Sequence, residues 1–474
     1  MPVLERLADL ALARGDEPAV LGLDGRGTER RLSWRALAAG AERTADRLAA
    51  AGATGIVAVA AASTPEAVTL LLGGLAAELP VLALDPRAPA SERDALLRFV
   101  AREHGTVHLL DAATVAVAAR APGARAPRGV GYLLTTGGSS GVAKVVAAPG
   151  PVRYDPRRFP SPVLRRAGWR TGQRQLVAGP LHHTAPFTAS LDGLLDGSTV
   201  VLLPTFAPDL LVEAIRDRRI GWVQLTPAHM RSVVQLAEPH PADLASLHGV
   251  LHTAAACDIA TKRAWLDLVG PERLWESYGS TEEIGVTLAR GDEWLARPGT
   301  VGKGFLTQIR ILDAAGRRLP AGEVGTVYLR TGRMAARARY LGGLSMPTTP
   351  DGFATVGDSG WLDGDGYLFL APRRTDLINV GGENVYPAEV EAALLDHPAV
   401  LDAVALARPD PIFGSVVQAR VVARDGARPA PRELIRHCAD RLSPYKVPRS
   451  VTFVPTVPRT AAGKLERWRM TEGG

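Results

Sequence analysis

Lysine and cysteine are both scarce in this sequence. Lys144, Lys262, Lys303, Lys446 and Lys464 are the only lysines among 55 basic residues, and Cys257 and Cys438 the only cysteines in 474 positions. Two cysteines cannot build a disulfide framework or a thiolate zinc site, which points to a reducing compartment and a cytoplasmic location. Long apolar runs are missing too. The most apolar stretch, Val68 to Leu84, is broken by Glu78 and suits a buried strand or helix better than a membrane span. Acids and arginines interrupt Met1 to Glu17, so no signal peptide and no membrane partner are expected. Aromatic residues amount to only 5%, and the arginines are spread along the whole chain. The net charge of +6 therefore implies a preference for anionic small molecules and no nucleic-acid partner. A chain so ready to use arginine keeps lysine where a compact ammonium is needed and a planar fork will not do.

Hydrophobic content of 46% with 22% charged residues describes a globular protein, and 474 residues exceed what one core supports. Helical and strand patterns alternate early: Ser33 to Ala51 helix, Gly55 to Ala61 strand, Pro65 to Leu75 helix. The alternation recurs, with Leu176 to Ala178, Thr199 to Leu203 and Gly221 to Leu225 as strands and Pro208 to Arg218 as a helix. This predicts an α/β fold with largely parallel sheets. Beyond Thr300 short strands and tight turns predict a smaller β-rich unit. After Arg373 to Asp376 the pattern turns to helix, strand, strand, helix. The expected architecture is a large N-terminal domain, residues 1–375, of layered α/β subdomains plus a β-rich subdomain, and a small α+β C-terminal domain, residues 376–474.

Four clusters carry chemistry. Gly131 to Val146 reads GYLLTTGGSSGVAKVV, an apolar strand running into Thr135, Thr136, Gly137, Gly138, Ser139, Ser140, Gly141 and then Lys144. Glycines let backbone amides converge on an anion, hydroxyls add donors and the lysine adds a point charge. The spacing is not that of a P-loop, and alone the stretch could be a surface turn. Trp275 to Gly285 (WESYGSTEEIG) offers a flat face at Tyr278, hydroxyls at Ser280 and Thr281, and a hard oxygen ligand for magnesium at Glu282, although a solvated turn would look similar. Asp358, in VGDSGWLD, can accept both hydroxyls of a ribose. The fourth, PRTAAGKLER, presents Lys464 after a glycine.

In this order and spacing, from about Leu133 to Arg467, the clusters resemble the acyl-adenylate-forming (AMP-binding) superfamily, in its acyl-CoA synthetase-like branch. The resemblance implies a C-terminal domain that rotates between two half-reactions about a hinge at Asp376, with ATP, Mg2+ and CoA as cofactors. It implies that Thr135 to Lys144 holds the phosphates, that Tyr278 beside Gly279 and Ser280 stacks on adenine, and that Thr281 touches a phosphate. Glu282 becomes the magnesium ligand, Asp358 and Arg373 the ribose binders, and Lys464 the bridge between carboxylate and α-phosphate. Ala254, Ala255 and Ala256 resemble the strip on which the purine lies. His183 resembles a gate to the acid tunnel, lined further by Phe187, Met230 and Thr253, and Lys446 a position near the pantetheine arm. Two adjacent histidines on a strand would point apart, so His182 and His183 are not expected to share a metal. Ala143, Val145 and Val356 depart from the family pattern, which usually has proline, glycine and threonine there. The expected function is ATP-dependent activation of a small-molecule carboxylic acid followed by transfer to CoA. Alternatives are a carrier protein or an amine as acceptor, nitrite activation for diazotising an aryl amine, or an inactive nucleotide-binding relative.

Overall fold

The computed structural model describes the chain except residues 24–27, 89, 122–128, 137–143, 333–338, 343–344, 372–377, 381–382, 411–413, 443, 460–464, 466 and 471–474. Six strands, Pro18–Leu23, Thr199–Leu202, Arg174–Val177, Trp222–Leu225, Gly249–His252 and Leu274–Gly279, run parallel in that spatial order. Successive side chains on a strand face opposite ways. Burial divides accordingly: Val20, Val177, Val200 and Leu202 join one core, and Leu21, Leu176, Val201 and Val223 join another.

The first core takes in helices Val3–Arg14, Trp34–Ala50, Pro65–Ala76 and Thr184–Asp196 and reaches Val57, Val59 and Val81 of a second sheet. The second core is closed by helices Pro208–Asp217 and Ile259–Val269. The second sheet has Val130–Thr136, Val81–Leu84, Ile56–Ala60 and Thr106–Leu110 as its parallel strands. Its far face, with Ile56, Ala58 and Leu82, is covered by helix Ala90–His104. The result is the layered α/β arrangement expected, helix over sheet over helix over sheet over helix. Local signals set the helix starts: Ser33 Oγ accepts from Ala36 N, and Thr64 Oγ1 from Ala67 N with Pro65 in the first turn.

The β-rich stretch packs around its own cluster, with Ile284, Val301, Ile311, Val327 and Leu368, while its strands continue the main sheet. Leu274–Gly279 pairs antiparallel with Val286–Arg290, which pairs with Thr300–Gly304, which pairs with Leu368–Ala371, so the main sheet runs continuously through thirteen strands. Gly302 makes this join possible. Its φ is +95°, and a Cβ there would lie 2.0 Å from the Leu288 carbonyl oxygen. Only glycine accepts both conditions.

Beyond the hairpin of Ile378–Val380 and Glu383–Val385, strands Val400–Asp410, Gly414–Ala423 and Ser450–Phe453 form a sheet packed by helices Pro387–Leu395 and Pro431–Ala439. No hydrophobic cluster among the described residues draws on both sides of residues 372–377. Among the described residues no helix is long and apolar enough to cross a membrane.

Gly302→Ala should cost about 3 kcal/mol or more in a denaturant melt, because it adds both a strained φ and a backbone clash. A loss below about 1 kcal/mol would remove Gly302 as the joint of the two sheet regions.

Candidate nucleotide and acid site

Open α/β sheets bind ligands at the carboxyl ends of their parallel strands. There Gly249–His252 gives way to Ala254, Ala255 and Ala256, all exposed, and Leu274–Gly279 to the turn Ser280 to Gly285. Ala254 holds φ at +81°, a strained conformation for a residue with a Cβ, and it turns the loop off the sheet. The loop ends where Asp258 caps the next helix by accepting from Thr261 N at 2.8 Å, while Arg231 donates to its other oxygen at 2.9 Å.

Three consecutive side chains of the turn reach three different elements. Thr281 Oγ1 lies 2.8 Å from Thr184 Oγ1 at the start of helix Thr184–Asp196. Glu282, buried, accepts from the Tyr340 hydroxyl. Glu283 accepts from the Tyr132 hydroxyl at 3.1 Å, with its own φ at +54°. Tyr340 belongs to the short strand Arg339–Tyr340, which pairs with Val146 and Ala147, and the Lys144 ammonium stands 5.1 Å over its ring. Thr136 and Lys144 form the rung that closes residues 137–143. The base of the expected phosphate loop is thus tied through Tyr340 to Glu282.

Tyr278, on strand Leu274–Gly279, donates to Asp358 Oδ2 at 2.8 Å. The expected adenine and ribose residues therefore meet, although 80 positions separate them. Ser280 Oγ is buried with no hydrogen-bond partner among the described residues. Among the described residues no group of three acids, histidines or cysteines could hold a metal ion. Magnesium accompanying a nucleotide needs only one or two carboxylates besides phosphates and water, and Glu282 can serve as one.

Other expectations change. His182 and His183 lie on a turn, not a strand, and their rings are 4.6 Å apart. Burial pushes His183 down to about 4, helped by the neighbouring His182, so it is neutral near pH 7. Phe187 joins the core beneath helix Thr184–Asp196, where its ring lies 5.0 Å from that of Tyr132, and Met230 joins the core on the other face of the sheet. A crevice with room for about one water lies beside helix Thr184–Asp196, lined by Gln175, Ala178, Gly179, Pro186, Ala189 and Gln224. Gln175 Oε1 is buried there with no partner among the described residues. Lys446, expected near the pantetheine arm, pairs with Glu389, and that contact leaves the expectation as it was. Gly137, Gly138, Ser139, Ser140, Gly141, Arg373, Asp376 and Lys464 lie outside the described residues. Sequence reading missed Tyr340, Tyr132 and Thr184, whose partners are remote in the chain. It also passed over Lys262, which the scarcity of lysine could have flagged.

A family model described as AMP-binding enzyme matches residues 109–337, and one described as AMP-binding enzyme C-terminal domain matches residues 389–464. The chain belongs to the AMP-binding enzyme family. Within this family it is 32% identical over 309 residues to the fatty acid–[acyl-carrier-protein] ligase ScoC of Streptomyces coeruleorubidus, covering 63% of this chain and 58% of that one. It is 33% identical over 314 residues to a feruloyl-CoA synthase of an Amycolatopsis species, covering 64% and 62%. The matched stretch spans about three fifths of the length of these curated relatives. The solved structure of the amide bond synthetase McbA from Marinactinospora thermotolerans covers 99% of both chains with a TM-score of 0.75 and 26% identity.

Tyr340→Phe keeps the ring beside Lys144 but leaves buried Glu282 short of a donor, which should cost about 1–3 kcal/mol in a urea melt. A change within about 0.3 kcal/mol would mean that the hydroxyl does not hold Glu282. Asp192, on the same helix as Thr184, supplies a pH test. Burial pushes its carboxyl up to about 7, although Ser161 N donates to it at 3.2 Å. The native state thus holds the proton more tightly than the unfolded chain. That contribution is full below the ordinary carboxyl pKa of 3.8 and is lost as pH rises through about 7. Asp192→Asn should match the native protein's stability near pH 4 and exceed it by a few kcal/mol near pH 8. Parallel pH curves for the two proteins would refute the assignment.

Proposed function

We propose that the chain adenylates a small-molecule carboxylic acid with ATP and passes the acyl group to the thiol of CoA. The carrying observation is the contact between Tyr278 and Asp358, which joins a flat aromatic face to a carboxylate acceptor at the carboxyl edge of the parallel strands. That pair suits the adenine and ribose of one nucleotide, with Ala254 to Ala256 as the bare surface beside it. In the first half-reaction an oxygen of the carboxylate attacks the α-phosphorus and pyrophosphate leaves. In the second the CoA sulfur attacks the acyl carbonyl carbon, its proton passes to solvent or a base, and AMP leaves.

The first step brings two anions together, so positive charge must be supplied where negative charge develops. We assign that work to Lys144 at the base of the phosphate loop and to Lys464. Magnesium, when bound at Glu282, neutralises phosphate charge. We assign helix Thr184–Asp196, with neutral His183 at its start, as one wall of the acid site. We further propose a division into domains at residues 1–375 and 376–474, with Asp376 as the hinge on which Lys464 is carried in and Lys446 is brought toward the acceptor.

The relatives named above differ in acceptor: a carrier protein for one, CoA for another, an amide bond for the third. A panel of aliphatic, aryl and amino-aryl acids, assayed for ATP–pyrophosphate exchange and then with CoA, a thiolated carrier protein, an amine or nitrite, should give exchange for at least one acid and fastest turnover with CoA. No exchange with any acid would favour a nucleotide-binding relative without activity.

Lys464→Ala should slow adenylation by about a hundredfold or more while thioester formation from synthetic acyl-adenylate stays within a few-fold of normal. Equal losses in both half-reactions would contradict its role.

A further inference from the structure

Lys262 is buried to 1% exposure in a chain that has replaced nearly every other lysine with arginine. Its ammonium contacts His252 Nε2 and donates to Glu276 Oε2 at 3.0 Å, and it stands 5.7 Å from the centre of the Trp294 ring. His252 and Glu276 are themselves buried and are register partners on adjacent parallel strands. An ammonium can only donate, so His252 Nε2 accepts and the imidazole is neutral; burial and the Lys262 charge both hold it far below its ordinary pKa.

The placement of this trio is more telling than its burial. His252 and Glu276 form the last rung before the two strands part. Past His252 the chain enters the Thr253 to Asp258 loop that carries Ala254, Ala255 and Ala256, and Lys262 lies one turn into the helix at which that loop ends. The contact between Lys262 and His252 therefore staples the two ends of the loop together. The bond to Glu276 ties the staple to the strand that presents Tyr278 two residues later. Replacing a buried ion pair by apolar groups of similar size is often neutral for stability, so stability alone does not explain keeping two buried charges here. A guanidinium would be bulkier and need more acceptors than one imidazole nitrogen and one carboxylate.

We infer that Lys262 is a positioning residue for the nucleotide site, setting the spacing between the Ala254 to Ala256 loop and Tyr278 through its contacts with His252 and Glu276. This rests on the proposal that these two elements embrace a nucleotide. Lys262 itself touches no reacting atom; it acts through the groups it holds.

The test is the dissociation constant for ATP, measured by calorimetry on the full chain, beside the thermal midpoint of each protein. The double variant K262M/E276Q removes both charges together and so strands no lone buried ion. His252→Leu keeps the ion pair and breaks only the staple across the loop. Both variants should bind ATP roughly tenfold more weakly, while the KM for the acid substrate stays within about twofold. ATP binding unchanged in the folded variants, with only a lower thermal midpoint, would overturn the inference and leave the trio as core structure. Equal weakening for ATP and acid would overturn it too, since the effect would then be general loosening. Failure of the unsubstituted protein to bind ATP would instead remove the nucleotide reading beneath it. If K262M/E276Q does not fold, His252→Leu decides by the same measurements.

Discussion

Strand Leu274–Gly279 carries parallel hydrogen bonds on one edge and antiparallel ones on the other, and the site depends on that single change of sense. A parallel neighbour places its carboxyl end at the ligand-binding edge of the sheet. An antiparallel successor forces the chain to reverse immediately, within residues 280–285. Hence Thr281, Glu282 and Glu283 crowd into one turn at that edge, and their side chains can reach helix Thr184–Asp196, strand Arg339–Tyr340 and strand Val130–Thr136 in succession. On one face of strand Leu274–Gly279, Glu276 accepts from Lys262 and, two residues on, Tyr278 donates to Asp358.

Two kinds of cost are concentrated around this turn. Ala254 and Glu283 hold positive φ without being glycine, which is strain that surrounding contacts must maintain. Glu282, Glu276, Lys262 and Asp192 are ionisable groups withdrawn from water. Each carries a partner that offsets its desolvation: Tyr340 for Glu282, Lys262 for Glu276, Ser161 for Asp192. Such pairing in a low-dielectric setting fixes polar groups more firmly than exposed contacts could.

Local signals made much of the secondary structure legible. Helices Trp34–Ala50, Pro65–Ala76 and Pro208–Asp217 and strands Ile56–Ala60 and Trp222–Leu225 fall within a residue or two of their expected bounds, because caps, prolines and apolar periodicity are written into consecutive residues. The β-rich stretch was legible as strands but not as a continuation of the main sheet, since pairing partners such as Thr300 and Phe369 lie far apart in the chain. His182 and His183 were misplaced for a related reason: residues 181–183 form a turn before a helix, and no two-residue alternation operates there.

The sequence by itself determined which residue types were available, and in what order: a glycine-rich stretch between Thr135 and Lys144, Tyr278, Glu282, Asp358, and lysine kept at five positions. Those are properties of short, contiguous segments, and they were enough to indicate the family. Tertiary structure alone decided that Tyr278 meets Asp358, that Tyr340 holds Glu282, and that Lys262 sits beneath the loop of Ala254 to Ala256. These contacts join residues brought together only when distant strands pair and helices pack over them, and no periodicity within a segment encodes which side chain will stand opposite.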